Sequence, residues 1–157
     1  MKKPRIYVDT SVIGGCLDLE FEKWSRSLLN DFRKGDLLLL LSEVVEAEAL
    51  DGPPEVAEVY REFKELTHEF LFLTTEVIDL ASAYLKHGVV SRNFLEDAQH
   101  IALATIAKAD ALLSWNFRHV VNFQRVRKFN AVNLEMGYTM IEIHSPLEVI
   151  RHADQSR

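Results

Sequence analysis

Three carboxylates in this chain pose a chemical question, because their immediate neighbours give them little to do. Asp9 follows the apolar stretch "RIYV" directly, and a charge at the tip of a buried strand costs free energy unless it caps a turn or holds a cation. Glu48 lies four and three residues beyond Val44 and Val45, so on a helix it shares their apolar stripe. No basic residue nearby in the sequence offers it a partner, whereas Glu43 and Glu46 fall on a more polar side with the helix-dipole advantage of a first turn. Asp97 sits one turn inside a helical pattern that begins near Asn93, on the flank of Ile101 and Thr105. Taken singly, each acid has a structural reading; for Asp97 this is the complement of a helix N-terminus, about 0.3–1 kcal/mol. Brought together, three carboxylates repel and raise one another's pKa values unless a cation neutralises them. Hard oxygen donors without Cys or His select magnesium or manganese. Such an ion clamps a phosphate and acidifies a water for in-line attack. Asn116, after the stretch "ALLS", stands where a further acid would complete the set; it brings a carbonyl oxygen but no charge.

The elements around these residues alternate. Short apolar runs predict strands at 5–8, 37–41, 70–74, 111–114 and 139–143. Between them "FEKWSRSLLNDFRKG" spaces Trp24, Leu28 and Phe32 four apart and stops at Gly35. "EVVEAEAL" follows Ser42, a good N-cap, and "PPEVAEVYREFKEL" opens on prolines suited to a first turn. "EVIDLASAYLKHG" closes on Gly88, and "NFLEDAQHIALATIAKA" pairs Asn93 with Glu96 as in a capping box. The expected fold is α/β, with a central parallel sheet of about five strands covered by helices on both faces, a three-layer α/β/α arrangement. Ligands collect at the carboxyl ends of the strands in such sheets, and that is where Asp9, Glu48 and Asp97 fall. Asp110 precedes its strand and belongs to the opposite edge. A single domain over 1–150 and a short tail at 151–157 are expected, with no repeat or low-complexity tract between.

Composition narrows the class. Apolar residues make up 48% and charged residues 27% of 157, ordinary values for a globular chain able to bury a core. No apolar run spans a bilayer, and "MKKPRIYV" lacks the apolar region of a signal peptide. A lone Cys16 forms no internal disulfide and reads as a small packed side chain, which agrees with a reducing, cytoplasmic setting. Net charge is −6, yet residues 111–134 hold Arg118, Arg125, Arg127 and Lys128 and no acid, leaving −10 for the rest. Such a cluster is either a solvated helix face or a basic rim that contacts phosphates beside an acidic site. The histidines form no H-x-H or HExxH pattern, so no zinc site is expected; His100, beside "IALA", reads as a hydrogen-bonded core residue. Trp115 reads as core or lid packing, or as a stacking surface for a base. Gly14 and Gly15 lack the G-K-[ST] of a phosphate loop and suit a tight turn.

"YVDTSVIGG", "SEVVEAEAL", "EDAQHIALA" and "ADALLSWNF" together resemble, in order and spacing, the four signature segments of PIN-domain ribonucleases, and in particular the bacterial VapC-type toxins and their uncharacterised relatives. The likeness runs on through "GYTMIEIHSPLEVI", which resembles the last strand and tail. It implies a metal-dependent endoribonuclease with Asp9, Glu48 and Asp97 as magnesium or manganese ligands. It also implies that the hydroxyl of Thr10 or Ser11 orients the site or a bound water. Ser114 and Asn116 match the final segment, where an aspartate is usual. The resemblance further implies an RNA substrate, an antitoxin protein as partner and a homodimer. Asn116 keeps open a second reading, a non-catalytic PIN-fold module that binds RNA or protein. A haloacid-dehalogenase-type phosphatase fits poorly, because Ser11 occupies the place of its second aspartate, and a receiver domain lacks its paired acids and lysine.

Overall fold

The structure, a computed structural model, describes residues 2–149, so the expected tail at 151–157 lies outside the described residues. Five parallel strands, β1 (Arg5–Val8), β2 (Leu38–Ser42), β3 (His68–Leu71), β4 (Ala111–Leu113) and β5 (Ile143–His144), form one sheet in the order β3-β2-β1-β4-β5. The helices are α1 (Thr10–Gly15), α2 (Glu22–Lys34), α3 (Glu43–Asp51), α4 (Pro54–Lys64), α5 (Thr75–Lys86), α6 (Leu95–Ile106) and α7 (Phe123–Glu135). This is the expected three-layer α/β/α class. The three central strands are buried along almost their whole length, which is why they read as unbroken apolar runs rather than alternating ones. From β1 the chain winds outward to β2 and β3, then crosses back to place β4 on the other side of β1. The crossover reverses direction between β1 and β4, and their carboxyl ends flank the crevice that this topology opens to ligands.

Several local signals hold. Gly35 ends α2 with φ 80°, the left-handed position that favours glycine. Ser42 accepts the Val45 amide with its side chain and caps α3, a contribution of about 1 kcal/mol. Pro54 opens α4.

Other expectations shift for identifiable reasons. Strand β3 starts at His68 rather than at 70, and Thr74 leaves the strand because its hydroxyl caps α5 through Val77 N. "FLFL" is apolar on every register, so pairing with β2 sets the boundary. Residues 139–142 fall outside the strand, although Glu142 C=O accepts Leu112 N–H of β4 at 2.8 Å. Asn130 of α7 holds Ile141, accepting its N–H at 2.8 Å and donating to its C=O at 3.1 Å. The capping box at Asn93 does not form; a 3₁₀ turn (Arg92–Phe94) leads into α6, and Phe94 occupies the N-cap without a side-chain bond. Helices α1 and α7 have no counterpart among the expected elements. Gly14 and Gly15 end α1 rather than making a turn. At Gly15 a Cβ would stand 2.6 Å from Ser25 Oγ and 2.7 Å from Trp115 Nε1, where the indole donates to Ser25 at 2.8 Å. No helix of the described residues is long and apolar enough to cross a membrane.

Candidate active site

Asp9 stands at the tip of β1 and caps the helix that follows. Its amide continues the β1–β4 ladder to Leu113 O, and its Oδ1 caps α1 by accepting Ser11 N at 3.1 Å and Ser11 Oγ at 2.5 Å. With the residue only 3% exposed, burial pushes its carboxyl above the usual range, and His100 and the Ser11 bonds pull it back. Ser11 Oγ also accepts Trp115 N–H at 2.8 Å and lies 3.3 Å from Ser114 Oγ. Ser114 Oγ accepts Asn116 N–H at 2.9 Å. These two hydroxyls join the ends of β1 and β4 across the crevice.

Glu48, on the second turn of α3, is not without a basic partner. Its Oε1 accepts Thr10 Oγ1–H at 2.9 Å and meets His100 Nε2 at 2.6 Å. His100 is 3% exposed, and its Nδ1 lies 2.7 Å from the buried Tyr7 hydroxyl, itself 2.8 Å from Ser42 Oγ. Burial raises the Glu48 carboxyl, but the bond and charge of His100, with Thr10, outweigh it and hold Glu48 below its ordinary value. Burial lowers His100, and the bond to Glu48 with the charges of Asp9, Glu48 and Asp97 outweighs that in turn, so its pKa is raised. His100 is thus a hydrogen-bonded buried residue, as the sequence suggested, yet also the counter-ion of a candidate ligand. Its position three residues after Asp97 was the available signal; its pairing with Glu48, 52 residues away, is set by the packing of α3 on α6.

Asp97 faces the same pocket from the first turn of α6. Burial pushes its carboxyl up to about 6; the charges of Asp9, Glu48 and Glu96 add to this, and His100 opposes it. Asn116 extends Nδ2 to 3.5 Å from Asp97 Oδ2, a long contact, while its Oδ1 accepts His119 N–H at 2.9 Å. One lone pair of the Asn116 carbonyl is therefore taken, and its amide is the part that meets Asp97. Glu96 has no cap duty; with Glu43, Glu48, Asp51 and Gln99 it lines a cleft of about 240 Å³ between α3 and α6.

The flanking residues divide. Arg118 is exposed on the loop after Asn116, and Arg127 and Lys128 are exposed along α7. Arg125 instead donates its guanidinium to Val89 O and ties α7 to the turn after α5. Trp115 is buried, stacked on Phe21 with ring centroids 4.2 Å apart, so it offers no face to a base. The exposed aromatic there is its neighbour Phe117, 47% accessible. Asp110 accepts Arg5 N–H at 2.7 Å at the opposite edge of the sheet. Burial pushes the Cys16 thiol up to about 11, leaving it unreactive.

Among the described residues, no three His, Cys, Asp or Glu side chains close on one point as a ready metal cage. The donor chemistry nonetheless fits a hard divalent cation. Asp9, Glu48 and Asp97 stand close enough for the charge of His100 to act on each, His100 is hydrogen-bonded to Glu48, and the Asp97 carboxyl is raised first by burial and then by the neighbouring acids. Magnesium in particular is bound through one or two carboxylates with waters completing its shell, and needs no all-protein cage.

The sequence matches no protein-family model and no curated protein. Among solved structures the chain is similar to the crystal structure of FitAcB from Neisseria gonorrhoeae, at 15% identity and a TM-score of 0.55, over 90% of this chain and 98% of that one. At that identity the likeness shows the fold: a PIN-like domain with five parallel strands between helical layers.

Proposed function

We propose that the protein is a metal-dependent endoribonuclease, with Asp9, Glu48 and Asp97 as the acids that hold magnesium or manganese. The observation that carries this reading is the convergence of these acids at the carboxyl edge of the sheet, beside the β1–β4 crevice, with a surplus of negative charge. The PIN-like fold and the four sequence segments support it. A bound divalent ion would supply charge for the pentavalent phosphate and acidify a water. The chain's own residues prepare that place: Ser11 fixes one oxygen of Asp9, Thr10 and His100 fix one oxygen of Glu48, and Ser114 steadies the loop that carries Asn116. Arg118, Arg127 and Lys128 would contact the RNA backbone, since phosphate contacts position the strand without reading its bases. A protein antitoxin and a second copy of this chain are the proposed partners, and the cytoplasm the proposed compartment, all from the likeness to toxins.

Incubating single-stranded RNA with the protein and magnesium tests the reading. Cleavage leaving 3′-hydroxyl and 5′-phosphate ends, abolished in Asp9→Asn and Asp97→Asn, supports hydrolysis by an activated water. Ends bearing a 2′,3′-cyclic phosphate contradict it. The second reading, a non-catalytic module, is favoured by Asn116, whose amide rather than a carboxylate meets Asp97. RNA binding without magnesium-dependent cleavage decides for that module.

A further inference from the structure

The hydrogen bonds around Glu48 form a chain that starts at a helix cap. Ser42 Oγ accepts Val45 N–H and so fixes the first turn of α3. The same oxygen lies 2.8 Å from Tyr7 Oη, which lies 2.7 Å from His100 Nδ1, and His100 Nε2 lies 2.6 Å from Glu48 Oε1. Each of Tyr7, Ser42 and His100 is buried, so water does not compete for these bonds. A neutral imidazole whose Nδ1 accepts from Tyr7 carries its proton on Nε2, and an imidazolium carries protons on both nitrogens. In either state Nε2–H donates to Glu48. Thr10 donates to the same Oε1, while no hydrogen-bond donor among the described residues reaches Oε2. One oxygen of the carboxylate is held by two donors and the other is left for a ligand.

We infer that His100 is a positioning residue for a divalent cation, holding Glu48 through Oε1 so that Oε2 is presented to the ion, with Tyr7 and Ser42 fixing the imidazole in turn. This rests on the metal-dependent reading above and names a residue that reading does not require. The arrangement ties β1, the end of β2, α1, α3 and α6 to one carboxylate, so the site is set by the packing of the fold and not by α3 alone. Outer partners of this kind typically alter metal affinity by about 10–100-fold when removed.

Isothermal titration of Mn²⁺ into the purified full chain tests the inference, with thermal melts of every variant alongside. His100→Phe keeps a ring of similar size and removes both bonds; its Mn²⁺ affinity is expected to fall by about 10–100-fold. His100→Gln restores an N–H donor and is expected to recover part of the loss, a result that mere cavity filling does not produce. If His100→Phe does not fold, Tyr7→Phe carries the test, since it keeps the imidazole and its bond to Glu48 while removing the hydroxyl that links Nδ1 to Ser42; a several-fold weakening is expected. A folded variant that melts lower yet binds Mn²⁺ as the wild type does makes His100 structural only and overturns the inference. Binding that Asp97→Asn abolishes while His100→Phe leaves it intact overturns this inference alone. A wild type that binds no Mn²⁺ overturns the metal-dependent reading and this inference together.

Discussion

Asn116 Nδ2 lies 3.5 Å from Asp97 Oδ2, so the raised Asp97 carboxyl is met by an amide hydrogen and not by a fourth carboxylate. Asn116→Asp replaces that donor by an acceptor while keeping an oxygen for His119 N–H. The variant is expected to melt several degrees lower than the wild type in chelator, a shift that corresponds to about 1 kcal/mol in a domain of this size. Magnesium is expected to raise its melting temperature by more than it raises that of the wild type. Equal shifts in both proteins would remove Asn116 from the cation's surroundings.

Asp97 makes folding pH-dependent with a definite sign. Its folded pKa of about 6 lies above the ordinary 3.8, so between those values the folded chain binds more protons than the unfolded one. The contribution is fully present below pH 3.8 and is lost as pH rises through about 6. Urea unfolding of wild type and Asp97→Asn in chelator, compared from pH 4 to pH 7, is expected to show the wild type losing ground to the variant across that window. Millimolar magnesium is expected to restore the wild type at pH 7. A constant difference across the window would count against the raised pKa.

The two glycines of α1 are predicted to respond in opposite ways. A Cβ at Gly14 meets nothing within 4 Å, whereas one at Gly15 collides with Ser25 Oγ and the Trp115 ring. Gly14→Ala is expected to be neutral or stabilising by about 0.5–1 kcal/mol. Gly15→Ala is expected to cost about 1–3 kcal/mol through overpacking. Tryptophan fluorescence should shift only in Gly15→Ala, because the Trp115–Ser25 bond is the part displaced.

Asn130 holds Ile141 just before the edge strand β5, and its loss has a predictable cost. Asn130→Ala leaves Ile141 N–H and Ile141 C=O without their side-chain partner, while Asn133 loses one bond and keeps those to Thr105 and Tyr84. Buried groups orphaned in this way cost about 1–3 kcal/mol each when no water replaces the bond. Denaturant unfolding is expected to show a loss of about 2–4 kcal/mol. Asn130→Asp keeps the acceptor for Ile141 N–H and is expected to lose less at acidic pH than at neutral pH.

The basic segment is predicted to act in two parts. Neutralising Arg118, Arg127 and Lys128 together is expected to flatten the salt dependence of RNA binding by about 2 in log–log slope, with stability unchanged. Arg125→Ala is expected to change stability first, since its guanidinium holds Val89 O. Melting curves and binding at several salt concentrations separate the two.

Much of this molecule is readable along the chain, because the decisive signals are local. The apolar runs that become β1, β2 and β4 are buried on both faces, Ser42 and Gly35 carry their capping chemistry in their own side chains or backbone freedom, and Asp9 is marked by its place at a strand tip. The α/β class and the sheet edge where the acids gather follow from the alternation of elements. What the chain order leaves open depends on partners far apart in sequence. Glu48 looked unpaired until α6 brought His100 to it from 52 positions away. Trp115 could be read as core packing or as a base-stacking face, and only the closure of Phe21 and Ser25 over it decides for the core. The third strand took its boundary from β2 and the segment before β5 from Asn130, because an apolar run fits several registers equally well and only a neighbour's hydrogen-bonding groups choose among them.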